Sequence, residues 1–248
     1  MSAAPDSGGP VGTDLLTDLA AASRILAAQG VVDGFGHVSI RHPDASDRYF
    51  LSRSMAPALV TPDDIIEHDL DSNACNAHGR NGFSERFIHG QIYRSRPDVM
   101  SIVHTHSPSV IPFGLVGTQM QAMFHNAAFL AAGVPVFDIS EKFGDTDMMV
   151  TDNAKGIALA DCLADKNVGL MRGHGLVTCA PSLQLAVFRA FYTEVSARIQ
   201  HWTQALAGDG PIAALTEAEG LLSDVPNETS SMRAWSLWRG QVRDQLGW

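Results

Sequence analysis

Apolar residues recur at helical spacing from Leu15 to Gln29 and stop at Gly30, which predicts an amphipathic helix closed by a glycine cap. Gly34 to Pro43 reads as a glycine-rich turn feeding a strand, and Arg48 to Leu51 as the next strand. A loop with two prolines follows, and Thr61-Pro62 carries the pattern of a helix start, with Thr61 as cap and Pro62 in the first turn. Ser84 is placed to cap a helix running to about Arg94, before Arg96-Pro97 stops it. Val99 to His106 reads as a buried strand, with Met100, Ile102, His104 and His106 on one face. The pattern then gives a helix over Ala127–Ala132, a strand over Val134–Ile139 and a helix over Val150–Ala164. Strands over Val168–Met171 and Leu176–Cys179 flank Arg172-Gly173-His174-Gly175, and a long helix runs from Ser182 to Leu206. There is no internal repeat and no clear linker. The expected organisation is a flexible tail over 1–14, one α/β domain over 15–206 and a helical extension over 207–248.

Composition narrows the function classes. The chain has 248 residues, 45% hydrophobic and 18% charged, enough for a real core. Its net charge is -10 and no Lys/Arg run interrupts it, which argues against nucleic-acid binding. No apolar run approaches the roughly 20 residues of a membrane span, and the first residues lack a signal-peptide pattern. Cys75, Cys162 and Cys179 form no CxxC pair and are expected to be reduced thiols in a cytoplasmic protein.

The chemistry lies in the histidines. In a strand, His104 and His106 point to one face, with Cα atoms roughly 6.6 Å apart, so both rings can converge on one ion. His174 sits between two glycines directly after an apolar strand, where the backbone can bend sharply. The alternative readings are a polar strand end for the pair and a histidine satisfied by backbone bonds for His174. Three imidazoles with open coordination positions are the pattern of a catalytic metal, and Zn²⁺, Mn²⁺, Fe²⁺ and Co²⁺ all suit them. One divalent metal per chain is expected.

The segments GHVSIR, VTPDDI, SERFIHGQIYRSRPDVMSIVHTHSP and MRGHGLVT, in that order, resemble the class II aldolase/adducin family over about Leu15 to Leu206. The resemblance implies an α/β fold of three layers, α/β/α, around a mostly antiparallel sheet. It further implies a homotetramer with active sites between subunits, His104, His106 and His174 as metal ligands, and Glu85 as the acid/base residue. Glu85 falls in the first turn of a predicted helix, where the dipole favours the ionised form; its alternative reading is an ordinary helix-start carboxylate.

The chain departs from the sugar-phosphate aldolases of that family where they hold phosphate. The matching positions carry Gly36-His37, Ser52-Arg53-Ser54-Met55 and Phe83-Ser84, larger and more apolar than phosphate recognition needs. Arg53 could hold a carboxylate and Phe83 could flank a flat substrate, with His37 and Ser84 as further substrate contacts. Met123 to Asn126 lacks the family's tyrosine, leaving His125 as a group able to transfer a proton near neutral pH. These departures resemble the branch that decarboxylates aromatic or ring-cleavage acids. The resulting expectation is a metal-dependent lyase that removes CO₂ from a small hydroxy- or oxo-substituted di-acid through a metal-stabilised enolate, with Glu85 or His125 as proton donor. The alternatives are an aldolase for a non-phosphorylated hydroxy-keto acid, a non-haem Fe(II) oxygenase, and a non-catalytic module as in adducins. Trp235 and Trp238 share a helix face; they serve either core packing or an arm over a neighbouring subunit, together with Trp248.

Overall fold

The computed structural model describes residues 4–246. Helix α1 (Thr13–Ala28) precedes strands β1 (His37–Arg41), β2 (Arg48–Ser52) and β3 (Ile65–Asp69), then α2 (Arg86–Ser95) and β4 (Ser101–Thr105). The second half holds β5 (Val136–Phe137), α3 (Ile139–Phe143), α4 (Asn153–Leu163), β6 (Val168–Met171), β7 (Gly175–Ala180), α5 (Leu183–Ala207) and α6 (Glu217–Leu246). The strands form one seven-stranded sheet in the order β3-β2-β1-β4-β7-β6-β5. Every pairing is antiparallel except β5 with β6.

Strand alternation divides the core. Val103, Leu176 and Ala180 face the layer of α1, α5 and α6, whereas Ile102, Val177 and Cys179 face α2 and α4. His104 shares the face of Ile102, and its register partners are His37 on β1 and Val177 on β7. The expected three-layer α/β arrangement with a mostly antiparallel sheet is what the chain adopts.

Several elements differ from the pattern-based expectation. The Thr61 start exists as a reciprocal capping box with Asp64, but the turn is a single 3-10 one, Pro62–Asp64. It leads into β3, whose Glu67 and His68 are buried, so its polar letters hid a strand. Ala127–Ala132 becomes a kinked 3-10 stretch over His125–Leu130, and the strand expected over Val134–Ile139 shrinks to two residues. Helix α4 starts later than expected, where Asp152 accepts a hydrogen bond from Lys155 N–H. The segment expected as a free tail is tied down at Ser7 and Gly8, whose Oγ and N–H both donate to Glu67 at 2.6 Å. Trp235 and Trp238 on α6 pack inside this chain, the latter 5.0 Å from the ring of Phe191. Trp248 lies outside the described residues.

Candidate active site

The three histidines converge. Strand β4 and the residue after it carry His104 and His106, and the β6–β7 turn brings His174 across, with Gly173 at φ 62° allowing the bend. Nε2 of His106 lies 3.1 Å from Nε2 of both His104 and His174. His104 Nδ1 is 3.0 Å from the Leu176 carbonyl and His174 Nδ1 is 2.9 Å from the Met148 carbonyl. A carbonyl only accepts, so both rings carry a proton on Nδ1, and each Nε2 points inward, able to bind a cation when the ring is neutral or to donate to Glu85 when it is protonated. Met148 holds a positive φ of 67°, supported by its N–H on Thr146 Oγ1, and this unusual backbone aims its carbonyl at His174.

Three Nε2 atoms this close need a proton or a cation between them. Their 3.1 Å spacing is close to the roughly 3.3 Å edge implied by tetrahedral metal–nitrogen bonds of about 2.0–2.1 Å. The donor set therefore fits a divalent cation. Glu85 completes the cluster: one ligand atom from each of Glu85, His104, His106 and His174 lies within 4.8 Å of the others. Its Oε2 is 3.6 Å from His104 Nε2 and 3.4 Å from His174 Nε2, and its Oε1 accepts the Val150 N–H at 3.0 Å.

Ser84, expected as the cap of α2, is an exposed turn residue; the cap position is Glu85, whose side chain makes no capping bond. Its carboxylate is spent on the site instead. Burial opposes charge on Glu85, but the contacts with His104 and His174 outweigh it and hold the carboxyl well below the usual range. Burial and the neighbouring imidazoles lower His106 to about 4, so it is neutral and available as a ligand at physiological pH.

A cavity of about 400 Å³ opens in front of this cluster. Its polar side is His37, Glu85, His106 and His174; its apolar side is Phe35, Phe83, Met55 and Met149. Ser84 lines it, and His104 is buried behind it. None of the described lining residues is Arg or Lys. Gly36, at φ 94°, permits the turn that brings Phe35 to the rim: a Cβ there would meet Val32 Cγ1 at 2.6 Å and the His104 carbonyl at 3.0 Å.

Two expected site residues do not reach this cavity within the chain. Arg53 points its guanidinium at Asp64, with Nε 2.6 Å from Oδ1, and is not among the lining residues. His125 is exposed and borders a separate cavity between α5 and α6. Other members were not singled out from sequence. Phe35 is 68% exposed at the rim, and its signal was an aromatic residue flanked by Gly34 and Gly36. His89 lies one helical turn beyond Glu85 and meets His37 at 2.7 Å; the spacing four residues after Glu85 was the available hint.

Comparison with known proteins places the chain in a family. The profile described as the class II aldolase and adducin N-terminal domain matches residues 17–201. The decarboxylase tropJ of Talaromyces stipitatus is 35% identical over 239 residues, covering 88% of this chain and 90% of that protein. A 3,4-dihydroxyphthalate decarboxylase of Arthrobacter keyseri is 28% identical over 90% of this chain and 91% of its own length. The solved L-fuculose 1-phosphate aldolase from Glaciozyma antarctica superposes with a TM-score of 0.77 at 19% identity, covering 96% of this chain and 97% of the other. With its decarboxylase relatives it is a lyase, and the chain belongs to the class II aldolase and adducin family.

Proposed function

We propose that this protein is a metal-dependent decarboxylase of a small hydroxy- or oxo-substituted di-acid, aromatic or muconate-like. The observation that carries this reading is the pairing of a converging three-histidine cluster and Glu85 with a cavity of about 400 Å³ that Phe35 and Phe83 line. Full-length similarity to a dihydroxyphthalate decarboxylase supports the same substrate class.

His104, His106 and His174 would hold the divalent cation, which when bound supplies Lewis-acid polarisation of a substrate oxygen next to the breaking bond. The chain's own residues do the rest. Glu85 rests as a carboxylate and can therefore only accept a proton first, from the substrate hydroxyl. The bond to the leaving carboxylate then breaks, CO₂ departs and the electron pair stays on the substrate carbon. Glu85, now protonated, returns its proton to that carbon, and the step balances. Phe35 and Phe83 flank the flat substrate and displace water from the reacting centre. His37 contacts the spare carboxylate.

Arg53 and His125 have no part in this scheme within one chain. Leu221, Leu222 and Val225 on α6 are exposed apolar side chains, which supports an assembly of chains, a tetramer by resemblance. No helix among the described residues is long and apolar enough to cross a membrane.

The test is CO₂ release from 3,4-dihydroxyphthalate before and after chelation. Chelator-sensitive release supports the reading. Aldol cleavage of a hydroxy-keto acid, or oxygen uptake in place of CO₂ release, would replace it with another chemistry on the same scaffold.

A further inference from the structure

Behind His37 runs a buried chain of hydrogen-bonding groups that the scheme above leaves unused. His37 Nδ1 is 2.7 Å from His89 Nε2, His89 Nδ1 is 2.6 Å from Ser39 Oγ, and Ser39 Oγ is 2.7 Å from the Tyr93 hydroxyl. All four side chains are buried. They come from β1 and α2, so the chain crosses from the sheet to the helix that Glu85 begins.

The closed end sets the order of the protons. Among the described residues the Tyr93 hydroxyl has one hydrogen-bond partner, Ser39 Oγ. Burial keeps the phenol protonated, and its proton must go to that partner. Ser39 has a single proton, which then goes to His89 Nδ1. His89, accepting at Nδ1, carries its proton on Nε2 and donates to His37 Nδ1. His37, accepting in turn, carries its own proton on Nε2, the nitrogen left for the cavity it lines. The reverse order would leave the Tyr93 proton buried with no acceptor.

We infer that Tyr93, Ser39 and His89 are positioning residues that hold His37 as its Nε2–H tautomer, a committed hydrogen-bond donor to an anionic oxygen of the ligand. This accounts for a cavity built without Arg or Lys: the donor is a neutral N–H oriented from behind, suited to a carboxylate or phenolate and not to an ammonium group. It also bars His37 from acting as a base, since its cavity-side nitrogen already carries a proton. The ligand class rests on the decarboxylase reading; the tautomer does not.

Imidazole ¹⁵N spectra of the full chain loaded with zinc test the tautomer directly, with His37 assigned by loss of its signals in H37Q. The expected result is protonation at Nε2 of both His37 and His89. In Y93F the two rings should shift toward mixed tautomers. Phthalate affinity by calorimetry should fall about three- to tenfold in Y93F and in H89M, the size of one lost hydrogen bond. H89Q, whose amide N–H can stand where Nε2–H stands, should stay near wild type. Protonation of His37 at Nδ1 in the wild type, or unchanged spectra and affinity in Y93F and H89M, would overturn the inference. If wild-type protein binds no phthalate, the di-acid reading fails, while the ¹⁵N spectra still decide the positioning claim. Because the wild-type spectrum is itself decisive, the test survives a variant that fails to fold.

Discussion

Glu85 combines burial, an ionised carboxyl and contact with two of the three histidines. Glu85→Gln keeps shape and removes the proton acceptor, so turnover should drop by about 10²- to 10⁴-fold with metal content retained. Equal turnover in wild type and variant, measured as CO₂ release, would remove Glu85 from the chemistry. Phe35 makes a separate prediction. Phe35→Ala should raise KM for an aromatic di-acid by about two- to tenfold, the usual worth of one aromatic contact, and leave metal content unchanged. At this scale the sequence was most legible where chemistry follows from short spacing, as in His104-Thr105-His106. Within one chain Arg53 pairs with Asp64, eleven positions on, and a one-dimensional pattern does not show that pairing.

At the scale of elements, the alternating and helical patterns located α1, α2, α4, α5 and the strands next to the site. They failed at β3, where a valid helix-start motif precedes a strand. Five extended residues pair along β2, while Glu67 and His68 are buried in the sheet, so tertiary pairing overrode the local signal. They also failed at the start of α2, where the cap position serves the site and forgoes its capping bond. Gly175 shows how tightly the elements fix the metal ligands. An added Cβ would collide with the backbone carbonyl of Thr105, on the strand that carries His104. Gly175→Ala should therefore push β7 from β4 and cost about 2 kcal/mol or more. The expected readouts are a lower midpoint in thermal unfolding and weaker metal retention; a variant as stable and as well loaded as the wild type would show that the sheet tolerates the shift.

For the whole molecule, α6 packs one side against α1, α5 and the 3-10 stretch at His125–Leu130, so the C-terminal helix is joined to the rest of the fold. Trp238→Ala should destabilise by about 3–5 kcal/mol, seen in denaturant unfolding, with metal binding preserved in the folded fraction. Acid should also weaken the fold. Burial lowers His68 and His106 to about 4, and lowers His37 and His89 well below 6.5. The unfolded chain takes up protons near pH 6.5 that these folded rings refuse, so stability should fall as pH drops from about 6.5 toward 4. Glu85 acts in the same direction at the acid end. At His174 burial lowers the pKa, but the Glu85 contact outweighs it and raises it, so that residue acts oppositely. Thermal unfolding of chelated protein across that range checks the sign, and a midpoint that rises on acidification would contradict it. The most direct test of the central claim is CO₂ release from 3,4-dihydroxyphthalate by metal-stripped protein titrated with a divalent ion. The account predicts no release without metal and recovery that saturates at one ion per chain, whereas full turnover by the stripped protein, or a chain that takes up no divalent ion, would contradict it.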